Sequence, residues 1–164
     1  MRFMIGNLVF FKKTNSFISS LIAKVTNSEF THVGLIVGHD EKTGIVTIIE
    51  SNRFIKTRVA RLELNERHVI YTTGNQPQEV TDRIVKYAYK NLGTSYDYLK
   101  LFGLFFALAF KRKRNIYFNS ANKFICSELV DMAYYTAGVK RKTNDNLGNI
   151  TPQELFEVYD LKEI

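Results

Sequence analysis

The sequence predicts an α+β fold, a mostly antiparallel sheet of about five strands with flanking helices. Two patterns carry that reading. Residues 32–38 alternate, with Val33, Leu35 and Val37 on one face and His32, Gly34, Ile36 and Gly38 on the other, whereas beyond residue 80 the apolar residues recur at helical spacing. A third observation bears on organisation: 164 residues with no linker, repeat or break in composition suit one domain. A 45% hydrophobic content with only 2 prolines excludes a disordered or collagen-like chain.

Residues 8–11 read as the first strand. Phe17, Ile18, Leu21, Ile22 and Val25 then follow at helical spacing behind Thr14 and Asn15, either of which can cap a helix. The alternating strand 32–38 leads into polar residues ending at Gly44 and then apolar residues 45–49, which is a hairpin signal. Further strands fit 54–62 and 69–73. Val80, Ile84, Tyr87, Ala88 and Leu92 mark a helix stopped by Gly93, and Phe124, Cys126, Leu129, Val130, Ala133, Tyr134 and Ala137 mark another running to Gly138. Thr151, Pro152, Gln153 and Glu154 form a capping box with proline at the first helical position.

The N-terminal apolar stretch is interrupted by Gly6 and Asn7 and has no small-residue cleavage site, so it reads as a strand and not as a secretory signal. The longest uncharged apolar run, residues 101–110, would be about 15 Å long as a helix against about 30 Å of bilayer hydrocarbon, too short to span. It ends in Lys111, Arg112, Lys113 and Arg114. Two readings stand for it: a core helix with a solvated basic end, or a surface that walls an acyl substrate through Leu101, Phe105 and Phe106 and meets an anionic membrane. With neither signal nor span, a Lys- and Asn-rich chain suits a cytoplasmic bacterial or phage protein, a virion component included.

The net charge of +7 favours anionic partners. No nucleic-acid motif accompanies residues 111–114 or Lys140, Arg141 and Lys142, and no aromatics interleave with them, so nucleic acid is the disfavoured partner. One cysteine excludes an internal disulfide, and three scattered histidines match no zinc spacing; neither a metal nor an organic cofactor is expected. Oligomeric state is not legible.

The chemistry lies in three residues. Pairing Gly38 with Gly44 makes paired residue numbers sum to 82 and sets His32 opposite Glu50, whose carboxylate would hold one ring nitrogen and leave the other free. Gly34 and Gly38 would leave open volume beside the imidazole, and a slip of one residue would turn Glu50 to the wrong face. Cys126 stands near a helix start, where backbone N–H groups and the helix dipole lower a thiol pKa. Each residue alone has a plain reading: a structural histidine at a strand start, and a small buried hydrophobe between Ile125 and Leu129. Together they make a nucleophile, a base and an orienter. His39 reads as a turn residue and His68 as a strand-end surface residue.

His32-Val33-Gly34, Glu50 after the next strand, Gly93 through Tyr96-Asp97 and Cys126-Ser127-Glu128-Leu129-Val130 resemble the circularly permuted papain-like cysteine amidases and peptidases. These are relatives of the NlpC-type enzymes, with lecithin retinol acyltransferase as a more distant cousin. Gly6-Asn7-Leu8-Val9 is similar to that family's opening Gly-Asp-Leu-Val, and Ile150-Thr151-Pro152 resembles its late helix start. The order His, Glu, Cys is the mark of the permuted group.

The resemblance implies that Cys126 attacks a carbonyl carbon, His32 takes and returns a proton, and Glu50 orients His32. It implies the Cys126 N–H as first oxyanion donor, Tyr96 as candidate for a second, and Asp97 as either a cap or a site residue. The substrate would be a peptide, a cell-wall crosslink or an acyl lipid, hydrolysed or transferred. The alternative keeps the fold without the chemistry, as a binding or structural module of a virion or cell wall.

Overall fold

A computed structural model describes residues 5–14, 28–51, 56–96 and 123–164. The expected helix through Phe17 and Val25, Asp97, the apolar run with Leu101, Phe105 and Phe106, the basic cluster 111–114 and the side chain of Tyr96 lie outside the described residues.

Short stretches rich in apolar residues build strands β1 (Leu8–Lys12), β2 (Phe30–His39), β3 (Val46–Ser51), β4 (Thr57–Leu62) and β5 (His68–Thr72). With β8 (Lys162–Glu163) they form an antiparallel six-stranded sheet in the order β4-β3-β2-β1-β5-β8. The sixth strand, β8, stays within the expectation of about five. It is two polar residues long and pairs with Tyr71 and Thr72, so no alternation announces it. Central β1 is apolar on both faces, and Leu8, Val9 and Phe10 are fully buried.

Three helices stand among the described residues: α1 (Gln78–Lys90), α2 (Cys126–Ala137) and α3 (Glu154–Val158). Gly138 closes α2 in the left-handed conformation at φ 89°, where a Cβ is costly. The capping box forms as expected: Thr151 N–H donates to Glu154 Oε2 at 2.7 Å and Glu154 N–H to Thr151 Oγ1 at 3.3 Å. Leu35, Ile49, Ile84, Leu129, Val130, Tyr134 and Leu155 belong to the core between sheet and helices, and Val9, Ile36, Val46 and Ile48 to a second cluster. The Tyr134 hydroxyl donates to Gly6 O at 2.7 Å, tying α2 to the segment before β1.

The β2–β3 register differs from the expected one. Leu35 pairs with Ile49 and Ile36 with Ile48, a sum of 84, whereas Gly38 pairs with Thr47, a sum of 85. Val37 is the extra residue of a β-bulge between them. Had pairing continued at 85, Glu50 would lie across from Leu35, on the face opposite to His32. The bulge restores an even sum, and the two-residue offset from 82 keeps Glu50 on the expected face with His32 diagonal to it.

The open volume expected beside Gly34 and Gly38 is not there. A Cβ on Gly34 would stand 3.1 Å from Ile48 Cδ1, so Gly34 permits close packing, and one on Gly38 would make ordinary contact with Thr47 Cβ at 3.4 Å; neither opens a cleft.

Short β6 (Ser95–Tyr96) and β7 (Lys123–Phe124) pair in parallel directly before Cys126. The loop after α1 is fixed to β4, since Gly93 N–H donates to Thr57 O and Thr57 N–H to Thr94 O, each at 2.9 Å.

Candidate active site

Ile125 is extended, and Cys126 is the first residue of α2. The N–H groups of the opening turn have no partner within the helix, and here they lie beside the sulfur. The Ser127 and Val33 N–H groups both hydrogen-bond to the thiol. The Val33 donor, which comes from the neighbouring strand, has no signature in the sequence.

His32 sits on β2 next to a second bulge, where Phe11 pairs with His32 but Lys12 pairs with Phe30, leaving Thr31 extra. Bulges bend a strand and re-aim its side chains. The His32 ring lies 5.0 Å from that of Phe11, its Nε2 is 2.7 Å from Glu50 Oε2, and it shares a hydrogen bond with Cys126. With Nε2 engaged by the carboxylate, Nδ1 is the nitrogen left for the sulfur. The three residues singled out in the sequence thus converge.

Charge in this cluster follows from that contact. Burial pulls the His32 imidazole down, but the Cys126 sulfur, by charge and hydrogen bond, and the Glu50 carboxylate outweigh it and hold His32 up at about 10. Burial pushes the Cys126 thiol up, and the His32 charge, its hydrogen bond and the two backbone N–H groups bring it below the ordinary thiol value. The two groups thus shift in opposite directions, each favouring the charged form of the other.

Glu50 has a further partner that the sequence reading missed. Arg58 stands directly across from it on β4, and its Nε and Nη2 both lie 2.9 Å from Glu50 Oε1. Glu50 is buried, whereas the Arg58 side chain is 41% exposed. The available signal was the alternation of Arg58, Ala60 and Leu62 on one face of β4.

Other expected sites resolve differently. Tyr96 pairs with Phe124 through the backbone. His39 ends β2 opposite Val46 instead of occupying the turn. His68 opens β5, partly buried with its ring edge-on to Phe11 at 4.9 Å, and not a plain surface residue. Arg141 leaves the basic patch, because its side chain is buried against Asp131. An open cavity of about 910 Å³, lined by Asn7, Thr72, Asn75, Gln76 and Thr81 among others, lies off the end of β1 away from Phe11 and His32.

The order of His, Glu and Cys around this cluster can be set against known proteins. A family profile described as "permuted papain-like amidase enzyme, YaeF/YiiX, C92 family" matches residues 3–157. The chain belongs to this family. Among solved structures, the chain is similar to the crystal structure of metalloprotein yiiX from Escherichia coli O157:H7, with TM-score 0.67 and 19% identity over 98% of this chain and 96% of that one. At that identity the likeness bears on the fold. No curated protein sequence matches the chain. Among the described residues of this permuted papain-like chain, no group of three His, Cys, Asp or Glu side chains is arranged to hold a metal ion. Nor, among those residues, is any helix long and apolar enough to cross a membrane.

Proposed function

We propose that this protein is a thiol-dependent amidase, peptidase or acyl transferase that works through an acyl-enzyme on Cys126. The observation that supports this most directly is the His32 imidazole, set between the sulfur and a carboxylate 2.7 Å from its other nitrogen. The Cys126 thiolate attacks the carbonyl carbon, and the Cys126 N–H at the start of α2 is placed to receive the developing oxyanion. His32 gives its proton to the leaving nitrogen, the C–N bond breaks and a thioester remains. Neutral His32 then takes a proton from water or another acceptor, which attacks the thioester and releases Cys126. Glu50 keeps the imidazole in one orientation and stabilises its charged form.

The substrate class is an acyl group in amide linkage, from a peptide, a cell-wall crosslink or an acyl lipid, with thioesters and esters as easier analogues. The test is to incubate the protein with representatives of each and to look by intact mass spectrometry for an adduct on Cys126. Turnover should fall by about 10³-fold or more in Cys126→Ala and His32→Ala. No turnover, together with a thiol that alkylates only at the free-thiol midpoint of about 8.5 whether or not His32 is present, would leave a binding module with this fold.

A further inference from the structure

The cluster does not end at Glu50. Cys126, His32, Glu50 and Arg58 form a line of alternating charge, and its last member grips the carboxylate oxygen that His32 does not use. We propose that Arg58 is a positioning residue: its Nε and Nη2, both on Oε1, fix the Glu50 carboxylate so that Oε2 stays on His32 Nε2 and the imidazole keeps Nδ1 towards Cys126. This rests on the proposed function for its purpose, though not for its measurement.

The backbone suits the task. Thr57 is buried, bonded through its N–H and O to the loop after α1, and its Oγ1 is 2.8 Å from Thr94 Oγ1, so Arg58 projects from an anchored strand. A fork with two N–H groups restricts a carboxylate in a way that a point charge does not. Among the described residues, the groups facing His32 are the Cys126 sulfur from α2, Glu50 from β3 and the uncharged Phe11 ring from β1; Arg58 faces Glu50 from β4.

Positioning and simple charge make opposite forecasts. Removing a nearby cation alone would raise the His32 midpoint, because one positive charge no longer opposes another. Releasing the carboxylate from its grip would lower it, because the imidazolium loses its partner. The experiment follows the His32 imidazole resonances against pH in wild type, Arg58→Gln, Arg58→Lys, Glu50→Gln and the Glu50→Gln/Arg58→Gln double variant, with fold checked by circular dichroism. The expected result is a fall of about one pH unit or more in Arg58→Gln, partial recovery in Arg58→Lys, and no further change on adding Arg58→Gln to Glu50→Gln. An unchanged or raised midpoint in Arg58→Gln, or full recovery by lysine, overturns the proposal. Alkylation of Cys126, the single thiol, is read in parallel. A normal thiol midpoint in wild type counts against the proposed function, while the histidine shifts still decide the role of Arg58.

Discussion

At Asp131, on α2, four donors converge on one carboxylate: Arg141 Nε at 2.9 Å and Nη2 at 3.2 Å, the Tyr159 hydroxyl at 2.8 Å and Gly148 N–H at 2.9 Å. Both charged side chains are buried, and Arg141 also donates to Thr143 O and Asp145 O. At Glu50 an arginine again meets a buried carboxylate, but that arginine is 41% exposed and the other oxygen is given to a histidine that titrates. Burial and the Asp131 charge push the Tyr159 phenol well above its ordinary value, so that donor keeps its proton through the neutral range. The same arginine–carboxylate pairing therefore stands in two settings. Held by four donors from the residues that follow it, Asp131 clamps the chain after α2 to the helix, whereas Glu50 shares its carboxylate with an imidazole.

The strongest way to break this comparison is Arg141→Met. It should leave Asp131 buried without its cation and cost about 3–5 kcal/mol in a denaturant titration, while the folded fraction keeps its Cys126 alkylation midpoint. A cost close to zero would mean that Asp131 does not need its cation, and the clamp would lose its distinction from Glu50. Next in size is His32→Ala, which should move the Cys126 alkylation midpoint up to about 8.5 or above, since the charge that lowers it is gone and burial remains. An unmoved midpoint would separate the thiol from the imidazole.

Stability against pH sharpens the contrast further. His32 has its ordinary value at 6.5 and a folded value of about 10, so its contribution is complete below 6.5 and is lost as pH rises through about 10. Cys126 is lowered in the folded state, so its contribution is complete above the free-thiol value of about 8.5 and is lost as pH falls through the folded value. Above about 8.5 the unfolded chain has lost the thiol proton while His32 still holds its proton in the folded state, so stability declines as pH rises towards about 10. Denaturant midpoints of wild type and the Cys126→Ala/His32→Ala variant, compared from pH 6 to 10, isolate that decline; its absence between about 8.5 and 10 would refute the raised His32. The smallest effect is expected from Arg58→Gln, about 1 kcal/mol in stability, because the Arg58 side chain is 41% exposed and the buried Glu50 keeps His32 as a partner. A loss as large as that of Arg141→Met would make Arg58 a clamp as well.

The meeting of Cys126, His32 and Glu50 is legible in residue type and strand parity, and parity survives an error of two residues in register. The register itself was not legible: Val37 is apolar in an apolar strand, so nothing in the alternation marks it as extra. Arg58 escaped because pairing Glu50 with it requires the β3–β4 register, which no glycine-marked turn announces. Asp131 had a signal, a lone acid among Leu129, Val130, Met132 and Ala133, but its partner lies ten residues on in a loop without periodicity. The two-residue β8 and the Val33 N–H beside the thiol depend on tertiary placement alone.

The bulge at Val37 also bears on how this gene can drift. Because Ile36–Ile48 and Gly38–Thr47 are paired on either side of it, a chain that lost the Val37 codon could join the two registers without moving either. Val37 packs partly against the core, so such an allele would forfeit some contact but keep Glu50 on the face of His32. Loss of Ile48, on the strand without the extra residue, has no such outlet. Within this hairpin, the bulge on β2 is the place at which the chain can shorten by one residue and keep Glu50 on the face of His32.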